Sequence, residues 1–191
     1  VQAQPQKDGK NAGEMLTGAI KAAILLNTEP AFDAAAGAKG LEQADMVITL
    51  SPFKANLDIS DVLLPVAPFT ETSGTFVNAE GRVQSFHAVV KPLGETRPAW
   101  KVLRVLANLL ELPGFDYESS QDVLTAAIGA ETKEVPSALR SNITKVAAKV
   151  PENEAAEPVT ASIYQLDGIV RRATSLQLTA DARLAREGGA A

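Results

Sequence analysis

Three short apolar segments, each bounded by polar or proline-containing stretches, dominate the first half of the chain. They are residues 22–27, 46–50 and 62–66. Apolar runs of this length are typical of strands buried on both faces of a parallel sheet. The connections between them are long enough for crossovers, so the pattern predicts a parallel α/β sheet, with a helix over residues 34–44 in the first crossover.

The segment after the third predicted strand is polar and contains two glycines. Its pattern predicts a hairpin with arms at 75–78 and 82–86, a turn at 79–81, and Phe76 and Val83 as apolar anchors. Backbone amides together with Thr75, Asn78 and Arg82 can hold an anionic group, since an arginine offers a planar, charged fork. Alternatively, the polar side chains pair with one another or with neighbouring loops and only hold the hairpin in place.

The second half of the chain shows helical patterns. Residues 100–110 place Trp100, Leu103, Leu106, Ala107 and Leu110 on one face, with Thr96 as a candidate cap. Shorter helices are predicted at 121–128 and 137–149, a solvated linker at 151–158, and a disordered end from residue 184. Arg171 follows Asp167 at helical spacing, so it either pairs with Asp167 or contacts an acidic surface elsewhere.

Composition excludes several functions for this stretch of 191 residues. A net charge of −5 without a basic run argues against nucleic acid, and no apolar stretch is long enough for direct membrane insertion. The absence of cysteine excludes thiolate catalysis and cysteine-bound iron–sulfur clusters. His87, the one histidine, is expected to be structural or to face solvent, the alternative being a general base. We therefore predict no catalytic residue and no metal ligand in this chain.

Several motifs resemble known proteins. Ser-Asp-Val-Leu-Leu-Pro at 60–65, Gly-Thr-Phe-Val-Asn at 74–78 and Glu-Gly-Arg-Val-Gln at 80–84 are similar to a signature of molybdopterin oxidoreductase domains. Two further segments resemble the G subunits of bacterial NADH-quinone oxidoreductase, respiratory complex I. One is Val-Lys-Pro-Leu-Gly-Glu-Thr-Arg-Pro-Ala-Trp-Lys at 90–101, and the other is the spaced block from Tyr164 to Thr179 that contains Asp167, Val170, Arg171, Arg172 and Gln177.

The resemblance covers roughly residues 21–183 and implies a fold. That fold is a Rossmann-like three-layer parallel sheet of the formate dehydrogenase and DMSO reductase type, with a mostly helical carboxy-terminal extension. The implied organisation has five parts. They are a flexible lead-in or severed linker (1–20), the molybdopterin oxidoreductase-like α/β domain (21–118), a helical extension (119–150), a linker (151–160) and a carboxy-terminal segment with a disordered tail (161–191).

The resemblance also implies a function. The parent complex passes electrons from NADH through flavin and iron–sulfur clusters to quinone, coupled to ion translocation, at the cytoplasmic face of the bacterial inner membrane. This chain would be a carboxy-terminal, structural portion without a cofactor. The parent subunit would carry [2Fe-2S] and [4Fe-4S] clusters, and the partners would be other peripheral-arm subunits and the missing amino-terminal part of the same subunit.

Two alternatives come from other classes. The chain can be a cofactor-binding fragment of an active molybdopterin oxidoreductase, such as formate dehydrogenase or nitrate reductase. In that case Thr75, Asn78 and Arg82 are the cofactor contacts, a role they have only if a pterin is retained. The chain can also be a free-standing interaction module, and an exposed apolar surface where further domains dock would favour the fragment over that module.

Overall fold

The computed structural model describes residues 9–34, 37–78, 80–129 and 162–188, with side chains of the last range described to Leu184. The strands in these ranges are β1 (Ala22–Leu26), β2 (Met46–Ser51), β3 (Val62–Pro65), β4 (Gly74–Val77) and β5 (Val83–Phe86). The α-helices in these ranges are α1 (Ala12–Thr17), α2 (Pro30–Asp33), α3 (Ala99–Leu109), α4 (Ser120–Ile128), α5 (Gly168–Arg172), α6 (Thr174–Gln177) and α7 (Ala180–Gly188). No helix in this described part combines the length and apolar content needed to cross a bilayer.

Strands β1, β2 and β3 form one parallel sheet with β2 in the centre. All three predicted strands are confirmed to within about one residue at each end. The central strand is the most deeply buried, because four of its six residues are shielded from solvent, whereas Ile24 and Leu26 of β1 are exposed. The mixed α/β class is confirmed, and the three-layer Rossmann-like arrangement stays a prediction.

The predicted hairpin is confirmed. Strands β4 and β5 pair in antiparallel register, with Gly74 opposite Phe86 and Val77 opposite Val83. Gly81 adopts a φ of 83°, which a glycine reaches without strain and which lets the chain reverse. The Phe86 ring lies over Gly74 and stacks on Phe76 at 4.9 Å between ring centroids. Phe76 thus makes an apolar contact within the hairpin as predicted, although its side chain is largely exposed.

Helix α3 confirms the predicted helix but not its predicted core face. Ala107 is buried, Trp100, Leu103 and Leu106 are half-buried, and Leu110 is exposed. Thr96 does not cap the helix, because its hydroxyl donates to the Leu93 carbonyl and Pro98 holds the cap position. Helix α4 confirms the next predicted helix, whereas the helix predicted at 137–149 and the linker at 151–158 lie outside the described residues.

Two local predictions near the amino-terminal end are wrong. Helix α1 lies within the predicted lead-in, where Asn11 and Glu14 form a reciprocal capping box. The described part of the predicted helix at 34–44 holds only a 3₁₀ turn at Lys39–Leu41, preceded by Gly37 at a φ of 61°. At the other end of the chain, α7 extends to Gly188, although disorder was predicted from residue 184.

The chain divides into two compact units. We call one the hairpin unit; its described residues are Gly9, 50–54, 63–78 and 80–129, and it buries Leu50, Val66, Ala67 and Ala107. We call the other the arginine unit; its described residues are 10–34, 37–49, 55–62 and 162–188. Its core is the cluster of Leu16, Leu25, Leu41 and Val47.

Candidate functional site

The loop that follows β3 is tied to a neighbouring segment of the hairpin unit. It begins with a 3₁₀ turn at Phe69–Glu71. The Thr70 carbonyl accepts a hydrogen bond from the Val89 amide at 2.9 Å, and Glu71 Oε2 accepts one from the Leu93 amide at 2.8 Å. The Glu71 carboxylate therefore holds two loops together.

The side chain of Thr75 is used within the hairpin. Thr75 lies directly opposite Ser85 in the β4–β5 register, and the two hydroxyl oxygens are 3.0 Å apart. Such a cross-strand pair of hydroxyls stabilises the hairpin modestly. Thr75 is thus a strand-pairing residue in this geometry.

Asn78 organises the hairpin turn. Its Oδ1 accepts hydrogen bonds from the backbone amides of Glu80, at 3.0 Å, and Arg82, at 2.9 Å. The backbone amide of Asn78 donates to the Arg82 carbonyl at 3.1 Å. This is the arrangement in which an asparagine side chain imitates a backbone carbonyl to close a turn.

The three residues predicted as cofactor contacts are brought onto one hairpin, but Thr75 and Asn78 do not fit a pterin or pyrophosphate group. The acceptor oxygens of both already bind atoms of the hairpin, and Asn78 and Arg82 are exposed to solvent. A cofactor site needs convergent polar groups in a sheltered pocket. Their role as cofactor contacts therefore stays a prediction.

A cavity of about 590 Å³ in the hairpin unit was not foreseen from the sequence. It is lined by the Glu71 loop, by Lys91 and Arg97, and by Trp100 and Lys101 at the start of α3. The Lys101 ammonium lies 5.3 Å from the centre of the Trp100 ring. The sequence feature that could have indicated this cavity is the presence of three cations within residues 91–101. The positive charge that they place on the cavity wall suits an anionic or acidic group.

A cluster of two carboxylates and two arginines forms the polar centre of the arginine unit. Arg171 binds Glu29 at 3.1 Å and Asp33 at 3.0 Å, and Arg172 binds Glu29 at 2.8 Å. The Arg171 guanidinium also lies 4.8 Å from the centre of the Phe32 ring. We call these four charged residues the arginine clamp, because they join α5 to the segment that follows β1.

The central pair of the arginine clamp is buried. The side chains of Arg171 and Glu29 are 7% and 13% exposed. Hydrogen bonds from Arg172 and then Arg171 lower the pKa of Glu29 although burial opposes them. Burial acts to lower the pKa of Arg171, but hydrogen bonds to Asp33 and Glu29 outweigh it and raise that pKa. Both groups therefore carry full charge at neutral pH.

The possible pair between Asp167 and Arg171 does not form. Asp167 instead caps α5, because its Oδ1 accepts hydrogen bonds from the Ile169 amide at 2.8 Å and the Val170 amide at 3.1 Å. Arg171 makes the alternative contact, with acidic side chains elsewhere in the chain. The sequence left both possibilities open, and the structure selects the second.

Other candidate chemistry finds little support within the described residues. His87 lies exposed in the segment after β5. In the parts of the chain that the structure describes, no three histidine, aspartate or glutamate side chains gather as a metal site requires. The polar groups of these parts thus serve mainly in turns, caps and ion pairs.

The role of Asn78 can be tested by removing its side chain. Asn78→Ala should destabilise the hairpin by about 1 kcal/mol, because two turn amides lose their acceptor and must bind water instead. Hydrogen exchange at the Arg82 amide measures this loss, and Asn78→Asp, which keeps the acceptor, is the matched control. Equal exchange at Arg82 in both variants would show that Asn78 does not build the turn.

Comparison with known proteins identifies relatives of the first part of the chain. The sequence profile of the molybdopterin oxidoreductase family matches residues 1–109. A Staphylococcus aureus (strain bovine RF122 / ET3-1) protein named as a formate dehydrogenase is 39% identical over 77 residues, which are 40% of this chain and 8% of that protein. A Bacillus subtilis (strain 168) protein named as the oxidoreductase YjgC is 40% identical over 70 residues, which are 37% of this chain and 7% of that protein.

These relatives are far longer than the stretch they share with this chain, which spans less than a tenth of their length. The family match is broader, since it takes in β1 to β5 and all of α3. It covers 109 of 191 residues, which is more than half. The chain therefore belongs to the molybdopterin oxidoreductase family.

Proposed function

We propose that the chain is a structural portion of the G subunit of NADH-quinone oxidoreductase, respiratory complex I. The observation that carries this proposal is the use of Thr75 and Asn78 within their own hairpin. The polar side chains of the segment that resembles a cofactor-binding signature thereby serve to build the hairpin itself. In this role the chain supports an electron-transfer assembly without itself binding an electron carrier.

The block from Tyr164 to Thr179 supports the same role. Its Asp167 caps α5, and its two arginines form the clamp with Glu29. Gln177 Nε2 donates to the carbonyls of Tyr164, at 2.9 Å, and Val170, at 2.8 Å. Asp167 and Gln177 thus bind within the block itself, and the two arginines bind carboxylates in another part of the arginine unit, as expected of a scaffold.

The cofactors and partners of this proposal follow from the parent complex. NADH oxidation, flavin and the [2Fe-2S] and [4Fe-4S] clusters belong to other parts of the assembly, since a chain without cysteine offers no thiolate for a cluster. The proposed partners are peripheral-arm subunits and the rest of the same subunit. The proposed location is the cytoplasmic face of the bacterial inner membrane.

A second candidate function is a fragment of an active molybdopterin enzyme that acts on formate. The observation in its favour is the 39% identity to a protein named as a formate dehydrogenase. When bound, a molybdopterin would supply two-electron redox chemistry. In this candidate Arg82, whose side chain is exposed, would contribute charge toward the anionic cofactor.

Metal analysis and activity together distinguish the two candidates. We expect the native assembly that contains this chain, purified from its source, to hold iron but no stoichiometric molybdenum or tungsten, as measured by elemental mass spectrometry. We also expect it to reduce quinone with NADH and not to oxidise formate. Stoichiometric molybdenum or tungsten with formate oxidation would replace the proposed function by the second candidate.

A further inference from the structure

A groove of about 430 Å³ runs along α3 in the hairpin unit. Its apolar lining comes from Leu64 of β3 and from Val102, Val105, Leu106 and Leu109 of α3. Of these α3 residues, Val105 is 49% exposed and Leu109 is 77% exposed. Exposed aliphatic side chains one helical turn apart form a strip of the kind that a partner helix covers.

The rim of this groove is cationic. Arg97, Lys101 and Arg104 line it, and none of the described residues that line it is a carboxylate. This local charge contrasts with the net charge of −5 of the whole chain. The groove therefore presents an apolar strip beside positive charge on a chain that is negative overall.

The cations of the rim contact neighbouring groups. Arg104 Nη1 donates to the Tyr117 carbonyl at 2.6 Å. Lys101 lies against the Trp100 ring. The contact of Arg97 with Glu95 spans 3.5 Å between exposed side chains, and a pair of this kind contributes little and is easily exchanged for another carboxylate. The rim is thus partly preorganised to meet an acidic partner.

We propose that this groove docks an amphipathic helix of another polypeptide segment, whose apolar face is flanked by aspartate or glutamate residues. Helices pack side by side through ridges of residues spaced three or four apart, and Lys101, Val105 and Leu109 form one ridge of the four-residue kind along α3. The apolar strip supplies affinity, and the three cations select acidic flanks. This docking does not depend on the assignment to complex I.

A binding experiment with designed peptides tests the proposal on the 191-residue chain. The probe is a fluorescent helical peptide of roughly four turns, with leucines along one face and glutamates beside them. A matched peptide carries lysine in place of each glutamate. Fluorescence anisotropy should show saturable binding of the acidic peptide, weakened by salt, and at least tenfold weaker binding of the basic one.

Variants locate the binding to the groove. Leu109→Glu puts a charge into the apolar strip, and Lys101→Glu puts a carboxylate where the peptide presents its own, so each should weaken binding of the acidic peptide by about tenfold or more. Val89→Glu is the matched control, since Val89 lies in the same unit, is 83% exposed and does not line the groove. Val89→Glu should bind as the unchanged chain does.

Three outcomes would overturn the proposal. They are equal binding of the acidic and basic peptides, binding that Leu109→Glu and Lys101→Glu leave unchanged, and self-association of the chain that Leu109→Glu abolishes. The last result would make a second copy of the chain the occupant. Circular dichroism of each variant checks that it is folded. Because Lys101 is exposed, Lys101→Glu still tests the proposal if Leu109→Glu does not fold.

Discussion

Arg171→Met should lower the free energy of unfolding of the arginine unit by about 3–5 kcal/mol, the usual cost of removing one partner from a buried ion pair. The change leaves Asp33 without its arginine and Glu29 with Arg172 alone. Methionine retains much of the apolar volume against Phe32, so lost packing contributes little. The loss comes mainly from carboxylates that remain sheltered from water with less compensation.

One feature of Arg171 places this loss toward the lower end of the range. Its Nε is buried and has no hydrogen-bond partner among the described residues. An unsatisfied buried donor costs about 1–3 kcal/mol, and the methionine variant removes that cost together with the ion pairs. The stability of Arg171→Lys should fall between that of the unchanged chain and that of Arg171→Met, because lysine keeps the charge but cannot reach both carboxylates as a planar fork.

Urea unfolding, combined with hydrogen exchange at the β1 amides, measures the effect within the arginine unit. Arg183→Met on α7 is the control, since Arg183 is exposed and its replacement should change stability by less than about 0.5 kcal/mol. If the two variants lose equal stability, the arginine clamp is not a major stabilising contact.

The sheet could be predicted because its signal is local. Each of β1, β2 and β3 is a run of apolar residues with polar or proline-containing flanks, and this pattern sets both the type of element and its ends. Helix α3 is similar, since its apolar spacing marks it as a helix. Its burial was less predictable, because Leu110 belongs to the apolar face by spacing and is nevertheless exposed.

The carboxylates that the arginine clamp uses could not be named from the sequence, because they lie 138 to 143 positions away from the arginines. A local pattern offered Asp167 as the partner of Arg171, but the two amides at the start of α5 compete for the same carboxylate. Capping is favoured because the amides are fixed in place next to Asp167, whereas an exposed ion pair with a long side chain contributes little stability.

The candidate site shows a further limit of reasoning from sequence. The density of polar side chains around Asn78 favoured a ligand, but the same groups can satisfy their own backbone, and the sequence does not distinguish these uses. Gly37 and Gly40 argue against the helix predicted at 34–44, but the alanines of that segment were given more weight. Alanine-rich composition favoured a helix at 34–44, although Gly37 adopts a left-handed φ that ends helices and Gly40 serves close packing.

Gly40→Ala should be among the most destabilising single-methyl changes in the arginine unit, by about 3 kcal/mol or more. A Cβ at this position would lie 2.0 Å from the backbone oxygen of Leu16, well inside contact distance. The clash is with backbone, so no side-chain rotation relieves it. Relief requires the 3₁₀ turn at Lys39–Leu41 to move away from α1, and that movement opens the core between Leu16 and Leu41.

Gly37→Ala provides the comparison for this prediction. Gly37 also lies before β2, but no atom of the described residues stands within 4 Å of a Cβ there, and its φ of 61° is what opposes a side chain. That strain costs about 1–2 kcal/mol. Urea unfolding should therefore rank Gly40→Ala well below Gly37→Ala in stability. The opposite ranking would mean that the turn yields easily, and that α1 contributes little to the core it covers.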